Sequence, residues 1–414
     1  RVPNWWDTKK PPRPKITVSI GNKDASTVGL DALLDFDMHY ALPNGEHLTS
    51  QEFKKLLGNT DQLVQIKGQW VQVDNDKLNQ VLSHWKMLEN QVTQQGLSFV
   101  EGLRLLAGIQ HQQEKNVSSE EISTWSTVVE GAWLNETLKQ LRHPDLGGAK
   151  KSEIILKKHL NAMLRPYQQS GVQWLWWLYN MQLGGCLADD MGLGKTIQVI
   201  SLLLLVKFGI RTVKKQPHLL ILPASLLGNW QAEVNRFAPV LRMWIAHSSG
   251  HLSENKNMGD APNLLDIDLV ITTYATLHRL PWMNKISWDM VILDEAQAIK
   301  NPTAKQTRAI KTLTNRVRFI LTGTPIENHL LDLWSLFDFV APGLLGSVRS
   351  FADYTKQKTK LNQNINHTGS FYASVRQLVS PYILRRLKSD KQIINDLPDK
   401  TEMQTYCMLT KQQI

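Results

Sequence analysis

Cysteine is scarce in this 414-residue chain, which contains only Cys186 and Cys407. Two cysteines cannot form a zinc site by themselves, and low cysteine use is typical of proteins in a reducing cytosol. Long hydrophobic runs are also missing, since the longest, 199–206, contains Ser201 and is too short to cross a bilayer. No signal-peptide pattern is visible. The sequence therefore predicts a cytoplasmic protein without a membrane partner, in which Cys186 is a small core residue.

The composition is that of a basic, globular protein. Hydrophobic residues make up 42% of the chain and charged residues 20%, which suits two or three domains with real cores. The net charge is +10 and the pI is about 9.4, a balance that favours a phosphate-rich partner but also fits a merely soluble basic protein. Because the chain begins with Arg1 rather than Met, we expect it to be part of a longer protein.

A glycine-rich loop that ends in Gly-Lys-Thr is the most informative motif. It reads LADDMGLGKT over 187–196, between a short apolar stretch and a helical pattern. The glycines allow backbone N–H groups to turn toward a nucleotide polyphosphate, Lys195 supplies a positive charge, and the Thr196 hydroxyl can bind magnesium. The general pattern places a glycine where this chain has Asp189, so the loop alone is an imperfect match.

A pair of carboxylates follows a buried strand further along the chain. The segment MVILDEAQ over 290–297 has four apolar residues before Asp294 and Glu295. Such a strand delivers its acids to the carboxyl end of a parallel sheet, where ligands bind. Asp294 can hold the magnesium that bridges the phosphates, and Glu295 can orient or deprotonate the attacking water.

A third strand end lies in the segment VRFILTGTP over 317–325. Here the strand is followed by a small polar turn that contains Thr322 and Thr324. We expect these hydroxyls to hydrogen-bond the acids of the preceding strand and to sense the terminal phosphate.

Short apolar runs alternate with helical lengths from residue 160 onward. The predicted strands are 185–188, 218–222, 242–246, 269–272, 290–293 and 317–321. This alternation predicts an α/β fold with a doubly wound parallel sheet and helices on both faces.

The domain plan places a small α+β domain at 1–108, with helices that start at two capping boxes, Thr49 with Glu52 and Ser98 with Glu101. A linker with a helix over about 125–142 follows at 109–159. The α/β domain covers 160–402 and includes a helical insertion at 341–381. Residues 403–414 are expected to begin a connection to a further domain, as the family resemblance described next implies.

These motifs resemble, in order, those of the Swi/Snf-type branch of superfamily-two helicases, which are ATP-driven DNA translocases. The phosphate loop, the Asp-Glu strand end and the Thr-Gly-Thr-Pro turn match in series, and the Asp-Asp before the loop is itself a mark of that branch. Further matching stretches are LRPYQ (164–168), LPASLL (222–227) with Asn229, Trp230 and Glu233, ITTY (271–274), YILRRLKSD (382–390) and LPDK (397–400).

The resemblance implies a RecA-like first motor lobe, with ATP and Mg²⁺ as cofactors and double-stranded DNA as partner. It implies catalytic roles for Lys195, Asp294 and Glu295, and magnesium ligation by Thr196 and Asp294. Gln168 is expected to pair with the adenine edge. The other nucleotide-binding residues that it implies are Arg165, Met191, Gly192, Leu193, Gly194, Lys195 and Thr196. The residues that it implies for coupling or DNA contact are Pro223, Thr272, Thr273, Thr322, Gly323 and Thr324.

The first domain resembles an accessory region that precedes the motor in bacterial Swi/Snf-type proteins. The matching stretches are WW (5–6) with PPRP (11–14), DALLDFD (31–37) and GQWVQVD (68–74). The resemblance implies a nucleoid-associated bacterial protein and argues against nucleosomes as the target. Whether the basic tip contacts DNA or is a solvated arm stays open, as do the oligomeric state and the DNA substrate.

A motor of this type needs arginines from a second lobe, and none of the residues up to Ile414 resembles their motif. We therefore expect this chain to bind ATP weakly and to hydrolyse it at a background rate. Three alternatives remain: a strand-separating helicase of the same superfamily, a nucleotide-dependent interaction module without motor activity, and an unrelated P-loop enzyme such as a small-molecule kinase.

Overall fold

The computed structural model describes residues 13–23, 29, 32–42, 45–58, 63–108, 122, 124–142, 149–209, 216–247, 263–324, 330–363 and 369–390. Among these residues, no helix has both the length and the apolar character needed to cross a membrane. Several predicted features lie outside the described residues, namely Cys407, the segments 5–6 and 11–12, the end of the third motif at 325–328, and 397–414.

The N-terminal unit is built on a four-stranded sheet. Its strands are β1 (Lys15–Ile20), β3 (Phe36–Ala41), β4 (His47–Leu48) and β8 (Ser126–Glu130), in the order β4-β3-β1-β8. β1 is antiparallel to β3 and parallel to β8. The alternating residues Ile16, Val18 and Ile20 are fully buried, as their period of two predicts.

Helices cover this sheet, and two short strand pairs extend the unit. The helices are α1 (Ser50–Leu57), α2 (Asn75–Gln95), α3 (Phe99–Leu106) and α4 (Ala132–Arg142). The strand pairs are β2 (Leu33–Leu34) with β7 (Leu97–Ser98) and β5 (Leu63–Ile66) with β6 (Gln69–Gln72). Both predicted capping boxes are present, at the starts of α1 and α3.

The prediction of one helix over 125–142 is wrong in its first part. Residues 126–130 form β8, and the helix begins at Ala132. The β-branched run Thr-Val-Val suits a pleated surface, and β1 offers it an edge to pair with. Residues predicted as a linker therefore complete the N-terminal sheet, and this unit extends past the predicted boundary at 108.

The second unit, called the α/β unit below, contains a seven-stranded parallel sheet. Its strands are β9 (Gly185–Leu187), β10 (His218–Leu222), β11 (Met243–Ala246), β12 (Leu269–Thr273), β13 (Trp288–Leu293), β14 (Asn315–Leu321) and β15 (Ile383–Leu384), in the order β11-β12-β10-β13-β14-β9-β15. All six predicted strands are confirmed, with ends within about two residues. β15 is a seventh strand that the sequence did not predict.

Helices flank this sheet, as the alternating pattern predicts. They are α5 (Ala149–His159), α6 (Pro166–Asn180), α7 (Lys195–Gly209), α8 (Leu227–Phe237), α9 (Tyr274–Leu277), α10 (Lys305–Lys311) and α11 (Leu330–Val340). The apolar run at 199–206 lies in α7 and is buried along its whole length. Cys186 is 1% exposed in β9, and burial raises the pKa of its thiol to about 12, so it is a core residue as predicted.

The predicted insertion at 341–381 is helical in its described part. It contains α12 (Val348–Gln363) and α13 (Gly369–Val379), and a 3₁₀ turn over 380–382 follows. The chain then returns to the main sheet, where β15 pairs in parallel with β9. This return places residues 384–388 beside the glycine-rich loop.

The N-terminal unit packs directly on the α/β unit. Leu138 of α4 lines a small cavity together with Leu378 and Pro381, which lie at the end of the insertion. Nearby, a Cβ on Gly346 would lie 3.3 Å from a guanidinium nitrogen of Arg104, a largely buried residue of α3. The two units are therefore in close contact around the end of the insertion.

Candidate active site

One cavity of about 550 Å³ opens at the carboxyl edge of the parallel sheet. The residues that follow β9 and β13 meet there because parallel strands end at a common edge. Of the predicted site residues, the cavity is lined by Arg165, Gln168, Met191, Gly192, Gly194, Lys195, Thr196, Asp294 and Glu295. The predicted convergence of Gln168, Lys195 and Asp294 on a single cavity is thus confirmed.

The glycine-rich loop has the backbone conformation that its glycines predict. Gly192 and Gly194 have φ values of +83° and +80°, in the left-handed region that favours glycine. α7 begins directly after them, so its unpaired N–H groups face the cavity. The Lys195 ammonium donates to the carbonyl oxygens of Asp189 and Asp190, at 2.8 and 3.4 Å. The loop therefore combines a helix N-terminus with a held positive charge, which suits a polyphosphate.

Gln168 joins the start of α6 to this loop. Its side-chain oxygen accepts from the N–H of Arg165 at 3.0 Å, and its amide nitrogen donates to the carbonyl of Leu193 at 3.2 Å. Each group of the amide can make one more hydrogen bond, so Gln168 can still pair with a base edge. Leu193 contributes only its backbone, since its side chain is fully buried against Tyr167.

Asp294 is held at the end of β13 and is 8% exposed. One carboxylate oxygen accepts from the indole N–H of Trp230 at 2.7 Å, and the other accepts from the N–H of Glu295 at 2.9 Å. Burial raises the pKa of this carboxyl, against the lowering effect of these hydrogen bonds and of Lys195. A buried carboxylate fixed in this way is suited to bind a hard cation.

Glu295 has a left-handed backbone, with φ of +50° and ψ of +55°. This conformation costs a non-glycine residue about 1–2 kcal/mol, and such strain is concentrated at functional sites. The Glu295 carboxylate accepts from the side-chain amide of Gln297 at 2.7 Å. In turn, the Thr322 hydroxyl donates to the side-chain oxygen of Gln297 at 3.4 Å.

The expectation that Thr322 bonds the acids directly is therefore corrected. Thr322 is fully buried and reaches Glu295 only through Gln297, while its oxygen also accepts from the N–H of Thr324 at 3.1 Å. Gly323, between the two threonines, lies close to Met191, since an added Cβ would lie 3.4 Å from its side chain. The turn after β14 thus contacts both the phosphate loop and the Glu295 neighbourhood.

Trp230 and Glu233 also belong to the cavity, although the sequence analysis assigned them no part in the site. Both lie on α8 and line the cavity. Burial raises the pKa of Glu233, and a hydrogen bond with Thr196 opposes that effect. The signal that sequence reasoning missed is the spacing of three residues, which puts both side chains on one face of the helix.

The predicted DNA-facing threonines point into the protein. Thr272 is fully buried and donates to the carbonyl of Ala246 at 2.9 Å. Thr273 is 2% exposed and accepts from the N–H of Thr276 at the start of α9. Pro223 precedes the 3₁₀ turn that leads into α8 and is half-buried. The threonine side chains shape the strand end, and a coupling role for these three positions stays a prediction.

The oxygen atoms that line the cavity are of the types that bind magnesium. The Thr196 hydroxyl and the Asp294 carboxylate both face it, and Glu233 and Glu295 add two more carboxyl groups. Hydroxyl, carboxylate and phosphate oxygens are the ligands that Mg²⁺ prefers.

Comparison with known families agrees with this geometry. Residues 167–414 match the model of the SNF2-related domain, and residues 1–107 match a model described as SNF2 helicase protein. Among solved structures, the "Sulfolobus solfataricus SWI2/SNF2 ATPase core in complex with dsDNA" is 41% identical, with a TM-score of 0.51 over 61% of this chain and 51% of that chain.

Curated relatives agree as well. The chain is 35% identical to the putative ATP-dependent helicase/translocase YwqA of Bacillus subtilis, over 100% of this chain and 43% of the relative. It is 36% identical to the human DNA excision repair protein ERCC-6, over 64% of this chain and 19% of the relative. The chain thus spans less than half the length of these relatives. On the match over residues 167–414, the chain belongs to the SNF2 family of helicase-like ATPases.

Proposed function

We propose that this chain is the ATP-binding part of a motor that moves along double-stranded DNA at the expense of ATP hydrolysis. The observation that carries the proposal is the meeting of Gln168, Lys195 and the Asp294-Glu295 pair in one cavity of about 550 Å³. That volume suits a nucleotide, and the arrangement offers a base-reading amide, a phosphate-binding loop and two carboxylates.

Each residue has a definite part in hydrolysis. Lys195 and the loop amides neutralise and hold the phosphates, and Thr196 and Asp294 would hold magnesium, which would supply further charge neutralisation. Glu295 orients the attacking water and accepts its proton. The gain is mostly positioning plus electrostatic stabilisation, which is the usual basis of phosphoryl transfer.

Double-stranded DNA is proposed as the partner. The charge of +10 favours a polyanion, and the similar archaeal ATPase core was solved in complex with double-stranded DNA. We further propose a bacterial cytoplasmic location at the nucleoid, which rests on the resemblance of the first domain to bacterial accessory regions.

Nucleotide binding by the 414-residue chain is the first test. We expect weak, magnesium-dependent binding of a fluorescent ATP analogue and turnover at the background rate, because Arg165 is the one arginine among the described residues that line the cavity. Robust DNA-stimulated hydrolysis by this chain alone would contradict the proposal that the chain binds ATP but needs further residues to hydrolyse it.

A strand-separating helicase would use the same cavity, so the type of movement needs its own test. In assays of the full-length protein, a translocase displaces the third strand of a triplex without opening a forked duplex. Fork opening at a comparable rate would favour the helicase. A rate of ATP hydrolysis that does not change when DNA is added would favour a nucleotide-dependent interaction module.

A further inference from the structure

A buried ion pair joins the glycine-rich loop to the segment that leaves the sheet after β15. Asp189 is fully buried and Arg386 is 6% exposed. The guanidinium of Arg386 donates to both carboxylate oxygens of Asp189, at 2.9 and 2.6 Å, and the backbone N–H of Arg386 donates to the same carboxylate at 3.1 Å. Asp189 occupies the position where the general phosphate-loop pattern has glycine, so the departure from that pattern has a specific partner.

Backbone bonds extend this junction on both sides. The N–H of Ala188 donates to the carbonyl of Leu384 at 2.7 Å, and the N–H of Asp190 donates to the carbonyl of Arg386 at 3.0 Å. The Asp190 carboxylate accepts from the N–H of Lys388 at 3.0 Å. Residues 384–388 therefore fix the stretch 188–190, whose carbonyl oxygens hold the Lys195 ammonium.

The same ion pair also contacts the helices on either side of the cavity. Arg386 donates to Gln198 of α7 at 2.9 Å and to the carbonyl of Tyr167 in α6, and Gln198 donates to Asp189 at 3.2 Å. Gly171 makes room for this cluster, since a Cβ there would lie 1.9 Å from the Gln198 side-chain oxygen and 2.6 Å from the Arg386 guanidinium. Four segments thus meet at one guanidinium.

We propose that Asp189 and Arg386 are positioning residues for the nucleotide, and that they link nucleotide binding to the order of segment 384–390. The inference rests on the proposed function of the cavity. A buried ion pair is a poor source of net stability, because desolvation offsets the attraction, whereas its fixed geometry can hold one loop conformation. By reciprocity, if segment 384–388 favours the binding loop, a bound nucleotide must favour the docked segment.

Three single variants and one control test this linkage in the 414-residue chain. Arg386→Gln, Arg386→Lys and Asp189→Asn break or weaken the pair, and Arg385→Gln changes the exposed neighbour. The measurements are the affinity for magnesium-ADP and the hydrogen exchange of 384–390 with and without the nucleotide. We expect Arg386→Gln and Asp189→Asn to weaken binding by about 5- to 150-fold, the usual range of site coupling, and to abolish nucleotide-induced protection of the segment. Arg386→Lys should recover part of the affinity, and Arg385→Gln should match the parent.

A double variant separates positioning from simple stabilisation. Asp189→Leu with Arg386→Met replaces the pair by apolar groups, which can restore the melting temperature without restoring the geometry. Positioning predicts that its nucleotide affinity stays low even where its melting temperature equals that of the parent. If the double variant recovered both the melting temperature and the nucleotide affinity of the parent, the inference would be overturned. The same holds if Arg386→Gln bound the nucleotide as tightly as the parent does. A parent chain that binds no nucleotide would instead refute the proposed function, and the inference with it.

Discussion

At the scale of single residues, the site depends on contacts that no motif records. Glu295 is strained into a left-handed backbone, and Gln297 connects its carboxylate to Thr322 on the next strand. Sequence reasoning identified the acids because their residue types and the preceding apolar strand are local features. It did not foresee Gln297 as a bridge, because that role depends on where the turn after β14 comes to lie.

Lys195, proposed to bind phosphate, and Glu295, the proposed base, should affect binding and hydrolysis separately. In the full-length protein, Lys195→Ala should weaken ATP binding by about 10- to 100-fold through loss of a charge-assisted hydrogen bond. Glu295→Gln should keep binding and lower kcat by about 10²- to 10⁴-fold. Equilibrium binding and single-turnover kinetics check both, with the exposed Lys305→Ala as the control. Normal turnover by Glu295→Gln would show that its assigned role is wrong.

The Gln297 bridge predicts a smaller effect on kcat alone. Gln297→Leu removes both amide hydrogen bonds and leaves the Glu295 carboxylate without its partner at 2.7 Å. We expect kcat to fall by about 10- to 100-fold, as is usual for outer-shell partners, with KM for ATP unchanged. Steady-state kinetics measure the two constants, and a rise in KM with unchanged kcat would assign Gln297 to binding instead.

The raised pKa of Glu233 predicts a pH-dependent stability difference. Because burial raises this pKa above its ordinary 4.5, the folded chain favours the protonated carboxyl. The stability contribution is therefore complete below the ordinary value and is lost as pH rises through the raised one. Glu233→Gln mimics the protonated form, so its melting temperature should match that of the nucleotide-free parent at about pH 4 and exceed it at about pH 8. A difference that does not change between these pH values would contradict the assignment.

At the scale of elements, the long and strongly patterned segments could be predicted and the short paired ones could not. The six apolar strands of the α/β unit were predictable from the sequence. Both faces of a parallel sheet are buried, so each of these strands is a continuous run of hydrophobic residues. β8 and β15 were not predicted, because strands of five and two residues form only where a neighbouring strand offers a free edge. That neighbour is β1 for β8 and β9 for β15. α2 is the exception, because it was not predicted although its buried residues Leu78, Val81, Leu82 and Trp85 follow the helical spacing of three and four residues.

Alanine substitutions at two glycines, one in the glycine-rich loop and one in α8, should have opposite effects on stability. Gly194→Ala adds a Cβ at a φ of +80°, placed 2.5 Å from the amide nitrogen of Gln168. It should lower both the melting temperature and the nucleotide affinity. Gly228→Ala lies in α8 with nothing within 4 Å of the added Cβ, so it should raise stability by about 0.5–1 kcal/mol. Thermal melting and ADP titration compare the pair, and equal behaviour would refute the packing argument.

At the scale of the whole molecule, the N-terminal unit and the α/β unit share a contact around the end of the helical insertion. Leu138 is 3% exposed there and lies opposite Leu378 and Pro381. The predicted boundary at 108 lies before β8, which pairs with β1 and so belongs to the N-terminal sheet. This contact joins the N-terminal unit to the segment that leads to β15.

Weakening that contact should uncouple the two units. Leu138→Ala removes buried methyl groups and should cost about 2–5 kcal/mol. We expect denaturant unfolding to change from one transition to two, because the units then unfold separately. Lys139→Ala on the exposed side of α4 should leave the transition unchanged. A single, merely shifted transition for Leu138→Ala would show that this contact does not couple the units.

The placement of β9 between β14 and β15 has a consequence for biosynthesis. The strand that carries the glycine-rich loop leaves the ribosome early, but its two sheet neighbours, Asn315–Leu321 and Ile383–Leu384, are translated much later. When the glycine-rich loop has just left the ribosome, Arg386 has not yet been translated, so the Asp189 carboxylate of the loop still lacks its guanidinium partner. If Asp189 and Arg386 position the nucleotide as proposed, the cavity reaches its full affinity only late in translation. A ribosome stalled before residue 386 should display a chain that binds the nucleotide more weakly than the complete chain does.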